Sequence, residues 1–123
     1  LNGNRLSFLE PLEATSISFY DWVARSSWDY IVDGATKYEC NNSVQKEMKR
    51  IQTFISWHYQ SGSKYNTPFW DYAKSLPFNP DQEFLTYLDL VKKNDFYFCR
   101  INKDNLYSQW TLNSFKIWEE NTK

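Results

Sequence analysis

The stretch Asn42-Ser43-Val44-Gln45-Lys46-Glu47-Met48-Lys49-Arg50-Ile51-Gln52-Thr53-Phe54-Ile55 decides the fold class. Its apolar residues Val44, Met48, Ile51 and Ile55 recur every three or four positions, with Lys46, Lys49 and Arg50 on the opposite side. That period draws an apolar stripe along one face of an α-helix; a strand would alternate every second residue. Asn42 to Gln45 resembles a capping box, so the expected helix runs from Asn42 to about Tyr59.

Upstream, Ser16 to Val32 is apolar on nearly every side, as a central buried helix requires, with Thr15 or Ser16 able to cap it and Gly34 able to close it. Downstream, a loop around Gly62 leads to Thr67-Pro68, a capping hydroxyl before a proline at the first helical position, and a short helix through Ser75. Asn79-Pro80-Asp81-Gln82-Glu83 starts another helix, with Asn79 as cap and Pro80 first, and Lys92-Lys93-Asn94 stops it. Phe84, Leu85, Leu88 and Val91 are its expected buried face. Phe96 to Ile101 is too short to assign, and Asp104 opens a last amphipathic segment towards Trp118. Helix signals outnumber strand signals throughout, so the expected fold is all-α, a single irregular helical domain of about five helices.

Length and composition agree with one domain: 123 residues, 41% hydrophobic and 24% charged. Lys and Arg number 14 against 15 Asp and Glu, a formal net charge of -1 without a block of like charges, which speaks against nucleic-acid and anionic-membrane partners. No apolar run is long enough to span a bilayer. Cys40 and Cys99 stand in no metal or redox spacing and read as reduced thiols of a cytoplasmic protein. Leu1 is not an initiator methionine, and the expectation is that the chain starts inside a longer reading frame. Aromatic residues make up 20% of the chain, a density suited to a core and to a pocket for an arene.

His58, the one histidine, has no second ligand at metal spacing, so it reads as structural and no metal site is expected. GxSxG, HExxH and a glycine-rich phosphate loop are all absent, and Gly3, Gly34 and Gly62 cannot build a dinucleotide-binding turn. Before the first helix, Glu10 and Glu13 flank Pro11 and Leu12. Two readings stand for these carboxylates: acids that complement the helix dipole, or catalytic groups. The free amides at such a helix start also attract an anion.

Phe8-Leu9-Glu10-Pro11-Leu12-Glu13-Ala14-Thr15-Ser16 resembles the FLEPLE(S/A)T signature of the flavin-dependent tryptophan halogenases. His58-Tyr59 with Thr67-Pro68-Phe69-Trp70 is similar to the HY…TPFW stretch that follows it in that family. Ala14 stands where the family often has serine, and Ser16 where it often has glycine.

The resemblance implies the carboxy-terminal helical part of a larger flavin-monooxygenase-like fold, residues 1–123 forming the substrate-side portion without the amino-terminal flavin-binding domain. It implies halogenation of tryptophan, or another indole or electron-rich arene, with reduced FAD, oxygen and halide, FAD being supplied by a flavin reductase. It gives Glu13 the catalytic role opposite a lysine outside this chain. It places Pro11, Thr15 and Ser16 on the halide and flavin side, through their backbone, and Phe115 and Trp118 against the substrate ring. The chain alone is expected to hold no FAD and to be inactive. Two other readings compete: a helical interaction module whose aromatic surface drives self-association, and a related flavin monooxygenase that does not use halide.

Overall fold

The computed structural model describes residues 15–61, 64–93, 110 and 112–121. Among them the chain is all-α, with five helices and no strand: α1 Thr15–Ile31, α2 Lys37–Ser61, α3 Pro68–Ser75, α4 Gln82–Lys92 and α5 Leu112–Asn121. The apolar run Phe96 to Ile101 and the expected helix opening at Asp104 lie outside the described residues. The chain divides into two compact units, residues 1–52 and 53–123, with the boundary inside α2.

In the first unit, α1 covers the expected span and ends on a turn at Gly34, whose φ of +79° lets the Ala35 N–H reach the Asp29 carbonyl at 3.0 Å. The expectation that α1 is buried all round does not hold. Thr15, Phe19 and Ser26 are buried, while Ile17 is 71% exposed, Trp28 61% and Ile31 77%. An apolar circumference predicts burial only where a neighbour covers each face, and α1 has one covered face.

α2 begins at Lys37, one and a half turns ahead of the expected Asn42. Its start is a capping box that the sequence reading passed over. The Thr36 hydroxyl accepts from the Glu39 N–H at 3.1 Å, and the Glu39 carboxylate accepts from the Thr36 N–H at 2.7 Å. The hydrogen bonds from the Thr36 backbone N–H and hydroxyl hold the Glu39 carboxyl below the usual glutamate range. Ser43, assigned to the capping region, instead lies within α2, where it accepts from Trp22 Nε1–H at 3.0 Å and lies 3.0 Å from the Ser26 hydroxyl. Arg50 was expected on the solvated face. It is buried, with its guanidinium 3.5 Å from the buried Glu47 carboxylate. Two opposite charges taken from water together keep each other's compensation, which is the condition for burying either.

In the second unit, α3 starts as expected, with Pro68 at its first turn and Thr67 Oγ1 accepting from the Trp70 N–H at 3.5 Å. The α4 cap is Asp81, not Asn79 with Pro80, because Asp81 is the residue whose carboxylate meets the Phe84 N–H, at 2.9 Å. The buried face of α4 is Phe84, Tyr87 and Val91, a 3–4 spacing that leaves Leu85 45% exposed and brings in Tyr87, which the sequence reading omitted. α4 packs on α5, where Lys92 Nζ lies 3.6 Å from Glu119.

Candidate functional site

The second unit is organised around rings. Phe54 and Trp57, on consecutive turns of α2, meet at 5.8 Å edge to face. Phe115 from α5 inserts between them and α4, with centroids 4.9 Å from Phe54, 5.4 Å from Trp57, 5.8 Å from Phe84 and 4.7 Å from Tyr87. Trp110 stacks on Phe54 at 3.8 Å. Most of these pairs adopt the tilted or edge-to-face geometries that align a ring edge with a neighbour's π-face.

Phe115, expected against the substrate ring, is 0% exposed within this cluster. Trp118, one turn further along α5, is half-buried. Its ring lies 4.0 Å from that of His58 at an interplanar angle of 30°, and its Nε1 is buried without an acceptor among the described residues. A buried indole N–H normally finds an acceptor, so this donor stands out. His58 itself is buried, and its Nδ1 donates to the Phe54 carbonyl at 2.8 Å, which fixes the ring between Phe54 and Trp118. That is the structural histidine the sequence indicated. Among the described residues no group of His, Cys, Asp or Glu could hold a metal ion.

The other expected site residues fall in the first unit. Glu13 and Pro11 lie outside the described residues. Thr15 opens α1 and is 2% exposed, and Ser16 is half-buried. The first turn of α1 carries no acidic side chain, so nothing of its own complements the positive end of the helix.

The second sequence motif proves to be a joint. Tyr59 of α2 stacks on Trp70 of α3 at 6.0 Å and meets Phe69 edge-on at 6.1 Å, and the Gln60 amide donates to the Leu76 carbonyl past the end of α3. Its aromatic residues therefore tie α2 to α3. A family model described as tryptophan halogenase matches residues 2–121 of the chain.

This chain belongs to the tryptophan halogenase family.

The matched span takes in both motifs and runs on through α4 and α5, so the ring cluster of this halogenase-family chain lies inside it. No curated protein and no solved structure matches the chain. Membership places it in a family of oxidoreductase-type enzymes. No helix among the described residues is long and apolar enough to cross a membrane. Sequence reasoning missed Phe54 and Trp57 as the α2 rings that hold Phe115 of α5, and Trp110 as the ring stacked on Phe54. The first two carried a signal, since residues 54, 57 and 58 continue the i, i+3, i+4 stripe of α2.

Proposed function

We propose that this chain is the helical, substrate-side portion of a flavin-dependent halogenase that acts on tryptophan or another electron-rich indole. The observation that supports it most directly is the matched segment Glu10-Pro11-Leu12-Glu13 running into α1, a helix whose first residue is buried and whose first turn has no acid. The leading amides of such a turn attract an anion, so Pro11, Thr15 and Ser16 form the halide side through their backbone. Glu13, two residues ahead, is the carboxylate that takes the proton lost when a ring carbon exchanges hydrogen for halogen. Trp118, half-buried on α5, offers the substrate an aromatic face, and Phe115 fixes the α5 turn that carries it.

The described residues do not fit the flavin itself. Gly34, the one glycine among them, is used in the turn after α1, and the sequence holds no glycine-rich phosphate loop. Reduced FAD would supply the electrons that activate oxygen, the oxidant that makes halide electrophilic; in this reading it would be bound by a portion of the enzyme outside these residues and delivered by a cytoplasmic reductase.

The test joins the chain to the flavin-binding portion that precedes it in its reading frame and supplies reductase, FAD, bromide and tryptophan, with products read by mass spectrometry. The joined protein is expected to brominate, the chain alone is not, and Glu13→Gln in the joined protein loses on the order of 10²-fold or more in turnover. Bromination by the chain alone would overturn the division of labour. An oxygenated product free of halogen would overturn the halogenase reading.

A further inference from the structure

Four rings of the second unit stand in successive contact: Trp110 on Phe54, Phe54 on His58 and His58 on Trp118, with centroids 3.8, 4.3 and 4.0 Å apart. The first three are buried, and Trp118 at the end of the series is half-buried. His58 is tied to the backbone as well as packed. A carbonyl only accepts, so Nδ1 of His58 carries the proton that meets the Phe54 carbonyl at 2.8 Å. That bond sets the rotation of the imidazole about its own axis, a torsion that is soft in a flat ring held by packing alone. The Trp57 ring, 5.7 Å away and edge-on at 79°, closes a further side.

Trp118 takes its setting from that ring. Its indole tilts 30° from the imidazole plane and meets no other ring among the described residues. Its Nε1 is buried without an acceptor, so no hydrogen bond fixes the plane of the indole.

We propose that His58 is a positioning residue for the substrate arene: by holding one face of Trp118 it presents the other, at a set tilt, to a flat electron-rich ring. The proposal rests on the reading of Trp118 as a substrate-side residue. Stacked and edge-on ring pairs gain a factor of about 2 to 10 in affinity beyond their contact area, and only in the right relative orientation. An imidazole locked to the α2 backbone gives the indole one orientation, so the arene meets a preformed face instead of ordering it on arrival. Phenylalanine at position 58 keeps a ring under the indole and loses the tie to Phe54. Asparagine keeps a donor near that carbonyl and loses the ring face.

In the joined protein, supplied with reductase, FAD, bromide and tryptophan, His58→Asn is expected to raise the tryptophan KM about tenfold and His58→Phe about threefold, with kcat lowered less than about twofold. Trp118→Ala is expected to raise KM by itself, and on that background neither His58 substitution raises it further, because His58 acts through the indole. A KM that either substitution leaves in place, or one that rises as much without Trp118 as with it, would overturn the proposal. A Trp118→Ala enzyme with the wild-type KM would instead overturn the substrate-side reading beneath it. The chain alone gives a second readout that needs no turnover. The Trp118 indole N–H signal, identified in a nitrogen–proton correlation spectrum by its loss in Trp118→Phe, is expected to exchange with deuterium about threefold faster in His58→Phe, while the N–H of the buried Trp57 keeps its wild-type rate. Unchanged exchange at Trp118, or equal acceleration of both signals, would reduce His58 to general packing and overturn its specific role.

Discussion

Truncating Phe115 to alanine empties the middle of the ring cluster. The side chain is fully buried and touches Phe54, Trp57, Phe84 and Tyr87, which come from α2 and α4 and cannot all close on the gap. Phe→Ala in a packed site costs about 3–5 kcal/mol, combining lost transfer energy with the cavity left behind. Against the roughly 5–15 kcal/mol that holds a whole domain folded, that is a large share. Phe115→Leu keeps most of the volume and is expected to cost about 1.5 kcal/mol, because the ring-edge contacts go but the space stays filled. Urea unfolding followed by circular dichroism gives both numbers from the shift in midpoint at constant slope. A loss under about 1 kcal/mol for Phe115→Ala would refute the packing argument. It would return the residue to the role of a ring that waits for substrate, where truncation harms binding and spares stability.

Two caps should differ in measurable order: Asp81→Ala, which removes a carboxylate 2.9 Å from the Phe84 N–H, is expected to cost about 1 kcal/mol, and Thr67→Ala, with its contact at 3.5 Å, about half of that by the same unfolding assay. Gly34→Ala is expected to cost about 1 kcal/mol from backbone conformation alone, since a Cβ there meets nothing within 4 Å while φ stays at +79°. Glu39 adds a pH dependence. Its carboxyl is held below the usual glutamate value, so its contribution is present at neutral pH and is lost as pH falls below that value and through the lowered one. The thermal midpoint of the wild type should therefore drop more steeply on acidification than that of Glu39→Gln, and parallel curves would show that the capping box contributes nothing.

Much of the fold is legible because several helices carry local signals that owe nothing to tertiary context. The Thr67-Pro68 start and the 3–4 stripe from Val44 to Ile55 are of this kind, and both lead to helices in the structure. The Thr36…Glu39 box was equally local. It escaped notice because the turn it opens, Lys37 to Cys40, has no apolar stripe to call attention to it. Other features depend on partners that a sequence does not show. Nothing in Arg50 itself says that Glu47 will accompany it into the interior, and the apolar circumference of α1 could not reveal that one side would be left uncovered. For the candidate site, the motif pointed to the start of α1, whereas the setting of Trp118 against His58 arises only from packing across about sixty residues of chain.

The ring cluster also makes the second unit optically distinct. Trp57 and Trp110 sit face to face or edge-on with other aromatics in a fixed, asymmetric environment, the condition for strong near-ultraviolet circular dichroism, while Trp28 of the first unit lies open to water. Loss of near-ultraviolet ellipticity thus reports chiefly on residues 53–123, whereas far-ultraviolet ellipticity also carries α1 and the part of α2 in residues 1–52. Recording both signals through one denaturation series separates a chain that melts as a whole from one whose two units melt in turn.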